Sequence, residues 1–404
     1  MTAQRSPGKM EKQLNIYWLE TGDTRGLYQK FCLMECAARG EIVFRVRPQS
    51  AFAEFGLDVA DVPLLKEGFS VFRAVQGNSS ILVVLDNKDS FFNISPLIRK
   101  ADLYFLGAYC PAIIEAKCFP EPYSWQTKMD LAPYRQHFRK VIEQFGDMFG
   151  KIVRSIPMPM IMHPPLHQSK GDAFSKRRFA LVALGLAVDR WARHWHRPSF
   201  PLLEKAMFAI RYKELLALRH QQLECDIVAA DTLWAWPEHR AHLYYEISRL
   251  SDRWKVLTRL SAPRSGKSWP ERITPPMRDF VMEQLRGGQA TFQGNFERLF
   301  AASRLNVLAC GKHWGWRQLG YIALLCGTPI LMDKPLFSPY FSFDKFTVFY
   351  TKDQWQELPD VLASLDETAW WHIKKKNQQV FDRFLAPEPV SRYMLSVVNT
   401  HFME

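Results

Sequence analysis

The chain has 404 residues, of which 47% are hydrophobic and 14% are aromatic. This composition excludes a disordered protein, and this length exceeds the usual size of one hydrophobic core, so two domains of about 150 to 200 residues are expected. The formal net charge is +12. Residues 166–222 hold eleven Lys/Arg and four Asp/Glu residues, and so supply more than half of that excess.

The cysteine pattern and the apolar runs bear on where the protein resides. Seven cysteines are scattered, mostly within apolar runs, and no Cys-x-x-Cys pair occurs. They are typical of reduced core residues, which indicates a cytoplasmic protein without a thiolate metal site. The longest apolar run, Phe179–Val188, has ten residues, about half of what a bilayer span requires. We therefore expect a soluble protein or one peripheral on the membrane.

The first half of the chain alternates between strand-like and helix-like segments. Residues 1–12 are polar, lack the apolar core of a signal peptide, and are predicted to be disordered. Residues 13–165 are predicted to form a parallel α/β domain. Its predicted strands are Leu14–Thr21, Glu41–Val46, Ser80–Asp86 and Leu103–Gly107, and its predicted helices are Leu27–Ala38 and Tyr134–Val153.

A basic helical linker is predicted for residues 166–222. Its segment SKRRFALVALGLAVDRWARHWHRP places basic and aromatic residues around an apolar helix core. Such a helix suits an anionic membrane surface, although a solvated face between domains is an equal alternative. The candidate membrane residues are Arg177, Arg178, Arg190, Trp191, Arg193, Trp195 and Arg197.

The strand pattern resumes in residues 223–385, which we expect to form a second Rossmann-like domain. The predicted strands are Cys225–Asp231, Trp254–Leu260, Leu305–Cys310, Thr328–Met332 and Phe346–Tyr350. The carboxyl ends of parallel strands meet at one edge, where ligands bind. Residues 386–404 are predicted to form a final helix that crosses back onto the first domain.

The most informative segment is FAASRLNVLACGKHWGWRQLGYIALLCGTP, residues 300–329. It predicts a buried strand, a loop with two glycines, a helix over Arg317–Leu325, and a stop at Gly327. Glycines, cationic side chains and a helix N-terminus at the end of a strand favour phosphate binding. Together with the loop that follows Leu260, this segment supplies the candidate donor-binding residues Arg264, Lys267, Gly311, Lys312, His313, Arg317, Gln318 and Tyr321.

The order of these features has a counterpart in a known family. Residues 296–385, with Gly-Thr-Pro-Ile-Leu, the Pro335–Phe343 loop and the basic Lys374–Lys376 helix, resemble the C-terminal half of exostosin-like glycosyltransferases. The resemblance implies a GT-B architecture, in which two Rossmann-like parallel-sheet domains, here joined by basic helices, face a cleft. It also implies transfer of a sugar from a nucleotide-sugar co-substrate to a glycan or glycolipid acceptor, without another cofactor. Sugar, nucleotide and acceptor stay open.

The carboxylates of the chain bear on the mechanism. No Asp-x-Asp pair occurs, so we expect a metal-independent enzyme that neutralises the leaving diphosphate with Lys, Arg and backbone N–H groups. An inverting enzyme also needs a general base. Glu20 and Asp23 are the candidate catalytic residues; Asp86, Asp89 and His163 are further candidates, and caps or turns are the alternative role of each aspartate.

Two other functions remain open. The Pro263–Trp269 loop is similar to the phosphosulfate-binding loop of sulfotransferases, but Pro270 and Pro275 follow where that family needs a long helix. The basic charge and thirteen tryptophans also permit a non-enzymatic nucleic-acid-binding protein. Because no nucleic-acid-binding signature appears, we expect none.

Overall fold

The computed structural model describes residues 13–65, 68–127, 129–157, 162, 201–263, 269–286, 296–311, 314–352 and 354–404. Two β-sheets lie within them, one from each half of the chain. The predicted fold class, two α/β sheets packed with helices, is confirmed.

The first sheet has six strands in the order β2-β1-β3-β4-β5-β6. One strand corrects the expectation of a parallel sheet, because β3 runs antiparallel to both β1 and β4. The cause is local: only two residues join β3 to β4, the first being Gly77 with a φ of +62°. A loop this short can join only antiparallel strands. The strands are β1 Asn15–Leu19, β2 Val43–Arg47, β3 Phe69–Gln76, β4 Ser79–Asp86, β5 Leu103–Leu106 and β6 Ile152–Arg154.

Both faces of this sheet are buried. Along β4, Ile81, Val83 and Leu85 join one hydrophobic cluster, while Leu82 and Val84 join another on the opposite face. This alternation follows from the two-residue period of a strand. The continuous apolar run of β4 in the sequence therefore reflects burial of both faces of the sheet.

The helices of the first half are α1 Leu27–Ala38, α2 Val62–Leu65, α3 Pro111–Ile114 and α4 Ala132–Phe145. The bounds of α1 agree with the sequence prediction. The helix predicted over Tyr134–Val153 ends early, because a 3-10 segment at Gly146–Lys151 and then β6 follow α4.

The second sheet is entirely parallel, in the order β11-β10-β9-β7-β8. When the five strands are numbered 1 to 5 along the chain and read from β8 to β11, the order is 2-1-3-4-5. This is one of the two common doubly wound arrangements. The order reverses between β7 and β9, and ligands bind outside the carboxyl ends of the strands at such a switch point. The strands are β7 Cys225–Thr232, β8 Val256–Ser261, β9 Ser303–Leu308, β10 Ile330–Asp333 and β11 Val348–Thr351.

Helices cover this second sheet and connect it to the first. The helices are α5 Leu202–Ala217, α6 Pro237–Ser248, α7 Pro275–Arg286, α8 Phe296–Ala301, α9 Gln318–Cys326, α10 Leu358–Ser364, α11 Glu367–Phe384 and α12 Pro387–Met403. Helix α12 packs on α1 of the first half. Tyr28 of α1 and Tyr321 of α9 both donate to the carbonyl of Leu385, at 2.5 and 2.9 Å, beside the start of α12. One hydrophobic cluster therefore runs continuously from the first sheet to the second.

Among the helices of the described residues, none is both long enough and apolar enough to cross a bilayer. The segment with the candidate membrane residues 177–197 lies outside the described residues.

Gly327, the residue that ends α9, offers a test of helix packing. Its φ is +78°, and a Cβ there would lie 2.2 Å from the carbonyl oxygen of Lys374 on α11. Gly40 has almost the same φ, +79°, with no atom within 4 Å of such a Cβ. We expect Gly40→Ala to cost about 1 kcal/mol of stability through backbone strain alone. Gly327→Ala should cost about 3 kcal/mol or more because α11 must also move.

Thermal unfolding midpoints of the two variants measure this difference directly. Equal shifts in the two midpoints would show that the contact between α9 and α11 adds nothing to the cost.

Candidate functional site

The loops that follow the strand ends of the two sheets contact one another. Ser338, after β10, donates its N–H to the carbonyl of Tyr109, after β5, at 2.7 Å. From the segment between α3 and α4, Tyr123 Oη donates to the carbonyl of Lys334 at 2.5 Å, and Ser124 Oγ to that of Lys352 at 2.8 Å. The carboxyl edges of both sheets therefore face one cleft, where doubly wound proteins bind their ligands.

The glycine loop after β9 lies in this cleft, at the switch point. The N–H of Gly311 donates to the carbonyl of Gly315 at 2.8 Å, which closes the loop on itself. A Cβ on Gly315 would fall 1.5 Å from the carbonyl oxygen of Asp89, which follows β4 of the first sheet. The Asp89 carboxylate would lie 3.3 Å from a Cβ on Gly311. These glycines thus permit close approach of the first half of the protein.

Arg317 lies at the start of α9 and is held by a buried carboxylate. Its Nη1 donates to Asp231 Oδ1 at 2.7 Å, and its Nη2 to the carbonyl of Ala230 at 2.6 Å. Nε of Arg240, on α6, lies 3.4 Å from the same Asp231 oxygen. Two guanidinium groups and one carboxylate leave an excess of one positive charge at the switch point.

Two features of this cluster indicate that it is not fully paired. Asp231 Oδ2 has no hydrogen-bond partner among the described residues, and burial lowers the pKa of Arg240. A buried charge without full compensation is costly, and an added anion or donor would reduce that cost. Arg240 was not among the predicted site residues, although its position one turn into a helix after the strand Cys225–Thr232 is a signal that could have identified it.

A second buried pair lies at the end of β10. His239 Nε2 is 3.0 Å from Asp333 Oδ1, and the N–H of Cys310 donates to Asp333 Oδ2 at 2.8 Å. Burial opposes ionisation of Asp333, but the nearby His239 and these hydrogen bonds outweigh it and lower its pKa. Trp125 of the first half stacks on the His239 ring at 3.9 Å. The pair thereby fixes how the first half meets the end of β10.

A cavity of about 370 Å³ opens between the two halves beside these groups. Arg154, at the end of β6, and Lys334, after β10, are cationic residues in its wall. Pro111 and Tyr350 complete the wall with the Pro335–Asp344 loop, whose aromatic residues are Phe337, Tyr340, Phe341 and Phe343. The volume lies within the range of small-molecule sites. Neither Arg154 nor Lys334 was predicted.

The two predicted catalytic carboxylates both follow β1 and both have structural contacts. Glu20 accepts from the fully buried Lys30 at 2.8 Å, and Lys30 also pairs with Glu204 of α5 at 2.8 Å. Asp23 accepts from the N–H groups of Arg25 and Gly26 at 2.9 and 3.1 Å. It also accepts from Ser70 Oγ at 2.7 Å. These contacts favour a role for Glu20 in holding α5 and for Asp23 in fixing the turn that precedes α1.

The predicted donor-binding residues have different locations. Gly311 and Arg317 lie together at the switch point, and Gln318 begins α9 beside them. Tyr321 corrects the prediction, because its side chain is fully buried and donates to the carbonyl of Leu385. It is a core residue. Arg264, Lys267, Lys312 and His313 lie outside the described residues, as does His163.

Comparison with known proteins gives little additional information. No known family profile matches the sequence, and no curated protein is similar to it in sequence. Among solved structures, the chain is similar to Anabaena HepE in complex with UDP-glucose, with 13% identity and a TM-score of 0.41. That similarity covers 96% of this chain and 100% of the other. Because the TM-score is low, function is inferred from the geometry of this chain alone.

Asp86, at the end of β4, makes the stability of the protein depend on pH. Tyr104 Oη donates to its carboxylate at 2.7 Å, and burial raises its pKa from 3.8 to about 6. Its contribution to stability is therefore present below pH 4 and lost as the pH rises through about 6. Asp86→Asn mimics the protonated form. It should change little near pH 4 and stabilise the protein by on the order of 2 kcal/mol above pH 7.

Urea unfolding of the variant and the wild type at several pH values measures this effect, with the exposed Asp252→Asn as the matched control. A stability difference that does not change with pH would contradict it.

Proposed function

We propose that this protein is a glycosyltransferase that moves a sugar from a nucleotide-sugar donor to a glycan or glycolipid acceptor, with inversion and without a metal. The second half holds the donor, since its sheet has the switch point, the glycine loop and the arginines. The first half presents the acceptor. Two α/β sheets with facing carboxyl edges suit a reaction in which two substrates must meet.

One observation carries the proposal, namely the contact between Asp89 and the Gly311–Gly315 loop. Asp89 belongs to the acceptor half, and its carboxylate reaches the loop that we assign to the donor diphosphate. A general base must lie within hydrogen-bond reach of the hydroxyl that attacks the donor. We therefore assign the base to Asp89; Glu20 instead pairs with Lys30, and Asp23 accepts from Arg25, Gly26 and Ser70.

The charges at the switch point suit a diphosphate. The N-terminal N–H groups of α9 lie beside the loop, and Arg317 and Arg240 supply more positive charge than Asp231 neutralises. Helix N-termini and guanidinium groups both bind phosphate oxygens. Lys312 and His313 of the same loop would add to this charge. The unpaired Asp231 Oδ2 can accept a hydrogen bond from a donor hydroxyl.

The cavity beside the end of β10 suits the nucleoside. Its wall combines aromatic residues of the Pro335–Asp344 loop with Arg154 from the other half. Aromatic side chains offer stacking surfaces for a base. Because residues of both halves line this cavity, binding of the donor would also bring the acceptor half into position.

The reaction then follows from these positions. The acceptor hydroxyl attacks the anomeric carbon of the sugar, and its proton passes to the Asp89 carboxylate. The bond from that carbon to the diphosphate oxygen breaks as the new glycosidic bond forms. The diphosphate leaves with the bonding electron pair, and Arg317, Arg240 and the N–H groups of α9 stabilise its added charge.

The first experiment is saturation-transfer NMR of the full chain with a panel of nucleotide sugars and with the corresponding free sugars. We expect transfer to at least one nucleotide sugar and none to free sugars. Failure of every nucleotide sugar and nucleoside diphosphate to bind would overturn the proposed function.

Replacement of Lys312 and Arg317 by alanine should weaken nucleoside-diphosphate binding by about 2 to 4 kcal/mol, because two charge-assisted contacts are lost. Arg317→Ala also removes a partner of the buried Asp231 carboxylate, so thermal unfolding first checks that the variant is folded. The matched control is Arg139→Ala with Lys140→Ala, two exposed cations of the first half. Isothermal titration calorimetry measures both. Wild-type affinity in the folded Lys312 and Arg317 variant would show that these side chains do not touch the donor.

Asp89→Asn removes the proposed base while it keeps the side-chain size. We expect turnover to fall by about 100-fold or more, with donor affinity changed less than threefold, since general bases contribute about 100- to 10,000-fold. Asp23→Asn is the comparison for the earlier assignment and should affect mainly stability. Unchanged turnover in Asp89→Asn, with a strong loss of turnover in a folded Asp23→Asn, would assign the role of general base to Asp23 instead.

A further inference from the structure

The exposed face of helix α5 is apolar over its N-terminal half, whereas Lys213 and Glu214 are exposed toward its C-terminal end. Phe208 and Leu215 face the core. On the opposite side, Leu202 and Ile210 are 72% and 53% exposed, and Leu203 is also exposed. An ordinary surface helix has a polar outer face. Exposed apolar side chains along one face of a helix indicate an interaction surface.

The exposed face of α5 ends at a basic cavity. A 3-10 turn continues the helix to His220, which lies in the wall of a cavity of about 420 Å³. Arg219, Gln222, Trp371, Lys374, Lys375 and Gln378 complete the described wall. It contains three Lys or Arg side chains and one histidine, and no carboxylate. Asp382, nearby, accepts from Arg219 at 2.7 and 3.0 Å.

Lys374 is the most deeply buried cation of this wall. Its Nζ donates to the carbonyls of Gln221 and Ala301 at 2.9 and 3.2 Å. No carboxylate pairs with it among the described residues, and burial lowers its pKa to about 8. Carbonyl oxygens and the rings of Trp370 and Trp371 surround this ammonium group. None of them neutralises its charge, so an anion that entered the cavity would be attracted to it.

Trp371 lies at the mouth of the cavity and is 39% exposed. Its ring is 5.2 Å from Lys374 Nζ. Tryptophan is the side chain enriched where an apolar body meets a polar surface, as at the level of lipid headgroups. Apolar residues, an exposed tryptophan and a basic cavity thus follow one another along one surface.

We propose that this surface, the exposed face of α5 together with the cavity from Arg219 to Gln378, docks the protein on an anionic phospholipid membrane. Leu202, Leu203 and Ile210 enter the boundary of the acyl chains, and the cavity takes a headgroup phosphate beside Lys374 and Lys375. Nucleic acid fits less well, because exposed leucine and isoleucine side chains gain nothing from a phosphate backbone. The surface is separate from the donor site and goes beyond the proposed function.

The experiment is co-sedimentation of the full chain with vesicles of phosphatidylcholine alone or with about 30% phosphatidylserine. Binding should rise with the anionic fraction and fall with salt. We expect two double variants, Leu203→Glu with Ile210→Glu and His220→Glu with Lys375→Glu, each to weaken partition onto anionic vesicles at least about tenfold. For the second variant this figure follows from a loss of about fivefold for each basic contact. The matched controls are Val59→Glu and Lys140→Glu, both at exposed positions of the first half, which should bind as the wild type does.

Several results would overturn the proposal: equal binding to neutral and anionic vesicles, wild-type binding by both surface variants, or binding to a single-stranded oligonucleotide without binding to vesicles. A variant with Arg190, Arg193 and Arg197 changed to Glu tests the upstream segment. Loss of vesicle binding in that variant alone would assign the docking role to the upstream segment instead of the α5 surface. Vesicle binding needs no turnover, so this result is independent of the donor-binding test.

Discussion

The structure depends on the contact between Gly315 and the backbone of Asp89. With 1.5 Å between a hypothetical Cβ and the Asp89 carbonyl oxygen, only glycine fits there. This contact brings the end of β4 in one sheet against the end of β9 in the other. The contact therefore brings together the Asp89 carboxylate, the N-terminus of α9 and the arginines at the switch point.

Aromatic packing stabilises this contact. Trp314 lies between the glycines of the loop, stacks on Phe91 at 5.8 Å and donates from Nε1 to Gln126 Oε1 at 2.8 Å. Both partners belong to the first half. Trp236 and Tyr134 pack on the same ring at 5.4 and 5.1 Å. Aromatic pairs of this kind contribute about 0.5 to 1.5 kcal/mol each beyond the area that they bury, so the two halves are held together at the ends of their strands.

The C-terminal helix also joins the two halves. Tyr393 of α12 donates to the carbonyl of Arg154 at 2.6 Å, and α12 also packs on α1. Arg154 in turn lines the cavity that we assign to the nucleoside. The packing of α12 thereby positions a cation in the wall of this cavity.

The amino-acid sequence by itself determined four of the six strands of the first sheet, the five strands of the parallel second sheet, helix α1 and the glycine loop. Those features follow from local apolar runs, from glycines and from the spacing of helical residues, all of which act over a few neighbouring positions. The sequence did not indicate β3 as an antiparallel strand, β6, the pairing of Arg317 with Asp231, or Arg240 as a site residue, and it offered Asp89 only as one of several candidate bases. Asp89 contacts Gly311 although more than two hundred residues separate them in the chain. In the sequence, Asp23 and Asp89 look alike, because each follows a predicted strand. Only the tertiary structure decided which aspartate fixes the turn before α1 and which one meets the glycine loop, because that choice depends on which strand ends meet.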